Sequence, residues 1–119
     1  MKPPVVTPRY PDVDITPGGG WITGENIHVD DGKKKFLIPK GTSINFASLP
    51  APARILWRTW GKHSVPDIVH DALYGTRQYS KAYVDKLYLR MMKDYGVNPI
   101  RRRIFYAGVR MNLIAALRW

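Results

Sequence analysis

Asp67-Ile-Val-His70-Asp71-Ala-Leu-Tyr74 is the stretch whose reading decides the fold. Read as a helix, it puts Asp67, His70, Asp71 and Tyr74 on one polar stripe at steps of three and four residues. Val65, Ile68, Val69, Ala72 and Leu73 then form the opposing apolar surface. Pro66 suits the first helical turn, where its missing amide donor costs little. Ser64 and Asp67 have the spacing of a capping box, with Asp in place of the usual Glu or Gln. Gly75 is a natural stop.

Working outward toward the C-terminus, Ser80 can cap a second helix from Lys81 to Tyr95, closed by Gly96. Val84, Leu87 or Tyr88, Met91 and Tyr95 make its apolar stripe. Asn98-Pro99 opens a third helix, with Ile100, Ile104, Ala107, Met111 and Ile114 on one face. Toward the N-terminus, Trp21 to Val29 reads as a strand, Asp30-Asp31-Gly32 as a turn, and Lys33 to Ile38 as a second strand. A short extended segment follows from Lys40 to Phe46. The expected fold is α+β, a small N-terminal antiparallel sheet packed with about three C-terminal helices. Residues 1–119 read as a single domain, with 1–20 an extended arm, because Pro3, Pro4, Pro8, Pro11, Pro17 and Gly18-Gly-Gly20 leave little regular apolar periodicity.

The chain has 119 residues, 45% of them hydrophobic, which argues against global disorder. It contains no cysteine, so disulfides and thiolate metal sites are excluded. The formal charge is +10. Acidic residues concentrate before Lys33; beyond it stand only Asp67, Asp71, Asp85 and Asp94 against many lysines and arginines. A basic face of this kind attracts nucleic acid, anionic lipid or an acidic protein surface. The opening Met1-Lys2-Pro3-Pro4 lacks the apolar run of a secretory signal, and the late apolar region is broken by Arg110 and Arg118. No membrane span is expected.

Several short motifs occur in a fixed order: Pro39-Lys-Gly41, Ala47-Ser48-Leu49-Pro50, His70-Asp71-Ala72-Leu73-Tyr74, Val84-Asp85, and Arg101-Arg-Arg-Ile-Phe-Tyr106-Ala107-Gly-Val109-Arg110. Together they resemble a small family of unknown function found in tailed bacteriophages and prophages. The ordered likeness covers roughly Lys33 to Asn112 and is fairly specific as a set, although each motif alone is weak. It implies phage origin and supplies no established activity. Where that family's pattern has Thr-Asp before the Ala-Ser segment, this chain has Ile44-Asn45. A neutral amide there does not replace a carboxylate as a base or as a strong ligand for a hard metal.

Two kinds of chemistry fit the polar stripe. Asp85 sits near Leu89 and Met92 rather than on a charged stripe. If the first two helices form an antiparallel hairpin, Asp85 approaches His70. A carboxylate on one ring nitrogen leaves the other able to accept a proton from water. Tyr74 would join that site, while Asp71 and Asn45 could hold a divalent cation. The His-Asp-x-x-Tyr pattern also loosely resembles secreted phospholipases A2, but their defining cysteines and glycine-rich calcium loop are missing. The other reading makes His70–Asp85 a buried charge-assisted hydrogen bond that fixes helix packing. Lys81 can instead pair with Asp85 across one helical turn and leave His70 uninvolved. His63 and His28 show no comparable helical partners.

Arg101, Arg102 and Arg103, with nearby Tyr106, can bind a nucleic-acid backbone and one exposed base, or an acidic protein. No helix-turn-helix, zinc-finger or RNA-binding signature accompanies them. Trp21, Trp57, Trp60 and Trp119 are interface anchors if exposed. Core packing is the plainer reading for Trp57 and Trp60, and Trp119 is the better interface candidate. The leading expectation is therefore a phage structural or accessory protein, in the virion or the host cytoplasm. It would act through basic and aromatic surfaces, with other phage structural proteins as partners, an oligomer possible and no cofactor. The alternative is a metal-assisted phage hydrolase used in lysis or host entry, with a His70–Asp85 dyad and a divalent cation.

Overall fold

The structure is a computed structural model that describes residues 3–17, 20–44, 61–76 and 79–110. The described part is α+β: six strands, β1 (Val5–Thr7), β2 (Val13–Ile15), β3 (Trp21–Thr23), β4 (Ile27–Asp30), β5 (Lys35–Ile38) and β6 (Ser43–Ile44), then three helices, α1 (Ser64–Thr76), α2 (Lys81–Asp94) and α3 (Pro99–Arg110). The strands form two three-stranded antiparallel sheets, ordered β1-β4-β5 and β2-β3-β6.

The expected strand from Trp21 to Val29 is two strands, one in each sheet. Gly24 stands at the break: its N–H donates to Asp12 O at 2.7 Å, and a Cβ on it would come within 3.2 Å of Asp12. Buried Thr23 ties the end of β3 to the β5–β6 connection. Its hydroxyl donates to Pro39 O (2.9 Å) and accepts from Thr42 N–H (2.9 Å). Within the first sheet, Val6 pairs with Val29 and Ile27 with Ile38, and all four turn into the core. Trp21 and Ile44 pair in the second sheet and are likewise buried, which makes Trp21 a core residue. Residues 1–20, expected as an arm, supply β1 and β2 and thereby complete both sheets.

The Asp30-Asp31-Gly32 turn forms as expected, with Gly32 at φ +98°. Asp31 Oδ1 accepts from the N–H groups of Lys33 (2.8 Å) and Lys34 (2.5 Å), while Oδ2 accepts from Tyr83 OH on α2. That contact anchors the β4–β5 hairpin to the helices.

Helix α2 packs against both α1 and α3, and α1 also contacts β6. Ser80 caps α2 by accepting from Tyr83 N–H, and Gly96 ends it at φ +78°, both as expected. Asn98 caps α3 by accepting from Ile100 N–H at 2.8 Å. Three details depart from expectation. Helix α1 continues through Gly75, the expected stop, to Thr76, and Gly75 does not take a positive φ. Ser64 is the first residue of α1, and its hydroxyl accepts from Gly61 N–H (2.7 Å), while Asp67 N–H donates to His63 O (2.8 Å). On α3 the buried residues are Phe105 and Val109, whereas Ile100 and Ile104 are 71% and 54% exposed. The large ring of Phe105 takes the inward position, which rotates the isoleucine stripe toward solvent.

Candidate functional site

Asp85 is fully buried in the second turn of α2, and its carboxylate is the meeting point of three helices. From α1, His70 Nε2 lies 2.7 Å from Oδ1 and Tyr74 OH donates to the same oxygen at 3.2 Å. Lys81, one turn earlier on α2, donates to Oδ2 at 2.7 Å, and Arg110 of α3 donates to it at 3.2 Å. The Lys81 ammonium also donates to Val109 O at 2.6 Å, so one side chain joins α2 to the end of α3. Lys81, expected to take Asp85 in place of His70, binds it together with His70, each on its own carboxylate oxygen.

The protonation states follow from this geometry. Burial alone would raise the Asp85 carboxyl, but hydrogen bonds from His70 and Lys81, with the Lys81 charge, outweigh it and hold it below its ordinary value. Burial lowers the His70 imidazole against the pull of Asp85. His70 is therefore neutral near pH 7, donating from Nε2 and carrying its lone pair on Nδ1. Burial, then the Asp85 charge and hydrogen bond, push the Tyr74 phenol above its usual range, so it remains a donor. The His70 ring lies between Tyr74 and Tyr88, with centroids 4.2 and 4.7 Å away, and the residue is 7% exposed.

The remaining expected site residues are placed less centrally. Asp71 is half-buried on α1, near enough for its charge to raise Tyr74 further. Asn45, Trp57, Trp60 and Trp119 lie outside the described residues, as do Met111, Ile114 and the Ala47-Ser48 segment. Among the described residues no three His, Asp or Glu side chains converge as a metal-holding group. Arg101 and Arg103 are exposed on α3, while Arg102 is tied back to Val97 O at 3.3 Å. Tyr106 is half-buried against the core, so its ring is not presented whole to a base. His28 sits on the exposed side of β4.

A second buried pair escaped the sequence reading. His63, just before α1, places Nδ1 on Asp67 Oδ2, and Tyr88 OH donates to Asp67 Oδ1. Burial pushes the Asp67 carboxyl up to about 6, although the bonds to His63 and Tyr88 pull the other way. The signal was present as a His-Asp spacing of four residues, which is one helical turn.

A family model covers residues 21–109, most of the chain, from β3 through nearly all of α3. The chain belongs to that family, described as a protein of unknown function (DUF1353). In this DUF1353 member the matched span holds Asp85 with His70, Tyr74 and Lys81, and also the His63–Asp67 pair; Arg110 falls one residue beyond it. The strands β1 and β2 precede it. No curated protein and no solved structure matches the chain.

Proposed function

We propose that this protein is a phage structural or accessory component, in which the Asp85 network locks the helices while α3 offers a surface for assembly. The observation that carries this reading is the saturation of the Asp85 carboxylate by four donors from three helices. A buried charge this fully partnered holds helices in register, and removing one member leaves the others uncompensated. Phage origin enters from the motif resemblance. The surface is the exposed stripe of Ile100 and Ile104 beside Arg101 and Arg103, an apolar strip rimmed by positive charge that suits an acidic protein partner.

The test is Ile104→Asp combined with Arg103→Glu, two exposed positions. The expected result is an unchanged melting temperature together with loss of copurification with phage particles or an isolated phage protein complex. Persistent monomeric behaviour of the unaltered chain, with absence from particles, rejects the reading.

The 2.7 Å contact between His70 and Asp85 also favours a second reading, hydrolysis in lysis or infection with His70 as base. It requires Nδ1 to reach water past the two tyrosine rings. Assays on lipid, cell-wall and nucleic-acid substrates with added divalent cations test it, and activity that survives His70→Ala rejects it.

A further inference from the structure

A cavity of about 330 Å³, apart from the Asp85 network, opens between the start of α1 and the start of α3, lined by Lys62, His63, Gly96, Val97, Asn98 and Arg101. Its volume lies at the lower end of the roughly 300–1,000 Å³ usual for small-molecule sites. Among the described residues no carboxylate lines it, and two of the six lining residues, Lys62 and Arg101, are cationic.

Three details give it a built character. His63 is 3% exposed, and Asp67 takes its Nδ1. That bond occupies Nδ1, while no hydrogen bond reaches Nε2 among the described residues. The Cδ2–Nε2 edge packs beside Gly61, where an added Cβ would stand 3.4 and 3.5 Å from those two atoms. On the far side the Lys62 chain lies across Gly96, with Nζ 4.0 Å from where a Cβ on that glycine would be.

We propose that this cavity binds a hydrogen-phosphate group, as inorganic phosphate or a phosphomonoester, between Lys62, Arg101 and His63 Nε2. The two cations neutralise the charge. With Nδ1 taken by Asp67, Nε2 is the ring atom left to meet the ligand, and a P–OH group can donate to it near neutral pH where sulfate cannot. Asp67 acts here as a positioning residue through His63, and Tyr88 holds its other oxygen.

Calorimetry with inorganic phosphate, sulfate and adenosine 5′-monophosphate on the full chain tests this, together with the NMR shift of the His63 ring. The expected result is saturable phosphate binding that moves the His63 signal, with sulfate at least tenfold weaker. Tighter binding of the nucleotide than of phosphate assigns the source to a phosphomonoester; the reverse assigns it to the free ion. Lys62→Gln with Arg101→Gln should lower affinity by roughly ten- to a hundredfold. His63→Asn, whose amide can still donate to Asp67, removes Nε2 and should lower affinity as well. Lys33→Gln with Lys35→Gln, exposed and remote, should change nothing. No saturable binding, equal affinity for sulfate, or an equal loss in that remote variant overturns the proposal. The exposed Lys62 and Arg101 positions keep the test decisive even if the His63 variant fails to fold.

Discussion

Two buried carboxylates on neighbouring helices carry opposite electrostatic histories. Asp85 is surrounded by donors and stays ionised, whereas Asp67 has fewer partners and is raised from its ordinary 3.8 to about 6. A carboxyl whose folded value exceeds its unfolded one favours the folded state while protonated, so its contribution is complete below about pH 4 and lost as pH rises through about 6. The gap corresponds to roughly 3 kcal/mol. Asp67→Asn keeps an acceptor for Tyr88 and cannot ionise. Urea denaturation of both chains from pH 4 to pH 7.5 should show the wild type losing about that much relative to the variant. Parallel profiles would mean that Asp67 titrates as an ordinary carboxylate. Of these two centres, only the first was legible beforehand. His70 and Asp85 were readable because each sat oddly on its own helix, a histidine on a polar stripe and an acid among Leu89 and Met92. His63–Asp67 was hidden by a competing pattern, since Ser64 and Asp67 also mimic a cap. Spacing alone does not tell whether the Asp67 side chain turns back toward the helix end or inward to Tyr88.

At the scale of elements, end signals were more reliable than faces. Ser80, Gly96 and Asn98-Pro99 marked the ends of α2 and the start of α3 because each supplies a specific backbone need: an acceptor for an orphan N–H, a positive φ, or a first-turn proline. Ser80→Ala should therefore cost about 1 kcal/mol in thermal or urea unfolding, the usual price of an N-cap hydroxyl. A loss below ~0.3 kcal/mol would show that α2 is held by tertiary packing alone. Faces were harder to assign. On α3 two apolar sets coexist, Ile100 with Ile104 and Phe105 with Val109, and the choice between them depends on what α2 presents. The strands were harder again, because a three-residue strand such as β3 carries too few positions for alternation to declare its partner.

Over the whole molecule, the N-terminal stretch is where composition misled most. Prolines and glycines indicate a chain without its own core, and they do not indicate whether it joins another's. Here Val6 is buried opposite Val29, and the segment after β1 closes onto the end of α2. Arg9 pairs with Asp94 at 2.9 Å and lies 4.2 Å over the Tyr95 ring; Tyr95 OH donates to Arg9 O at 2.6 Å, and Tyr10 meets the same ring edge-on at 5.8 Å. The ion pair is partly exposed and contributes little by itself, so the buried strand is the part expected to matter. A chain beginning at Pro8 lacks β1, exposes the β4 edge and uncovers Val29. It should unfold several degrees or more below the full chain and show a greater tendency to self-associate through the bared edge. Arg9→Ala should shift the melting temperature by no more than a few degrees, and less at high salt. If instead the truncated chain melts at the full chain's temperature and stays monomeric, β1 contributes no stability to the sheet, and the segment would be available to wrap a neighbour in an assembly.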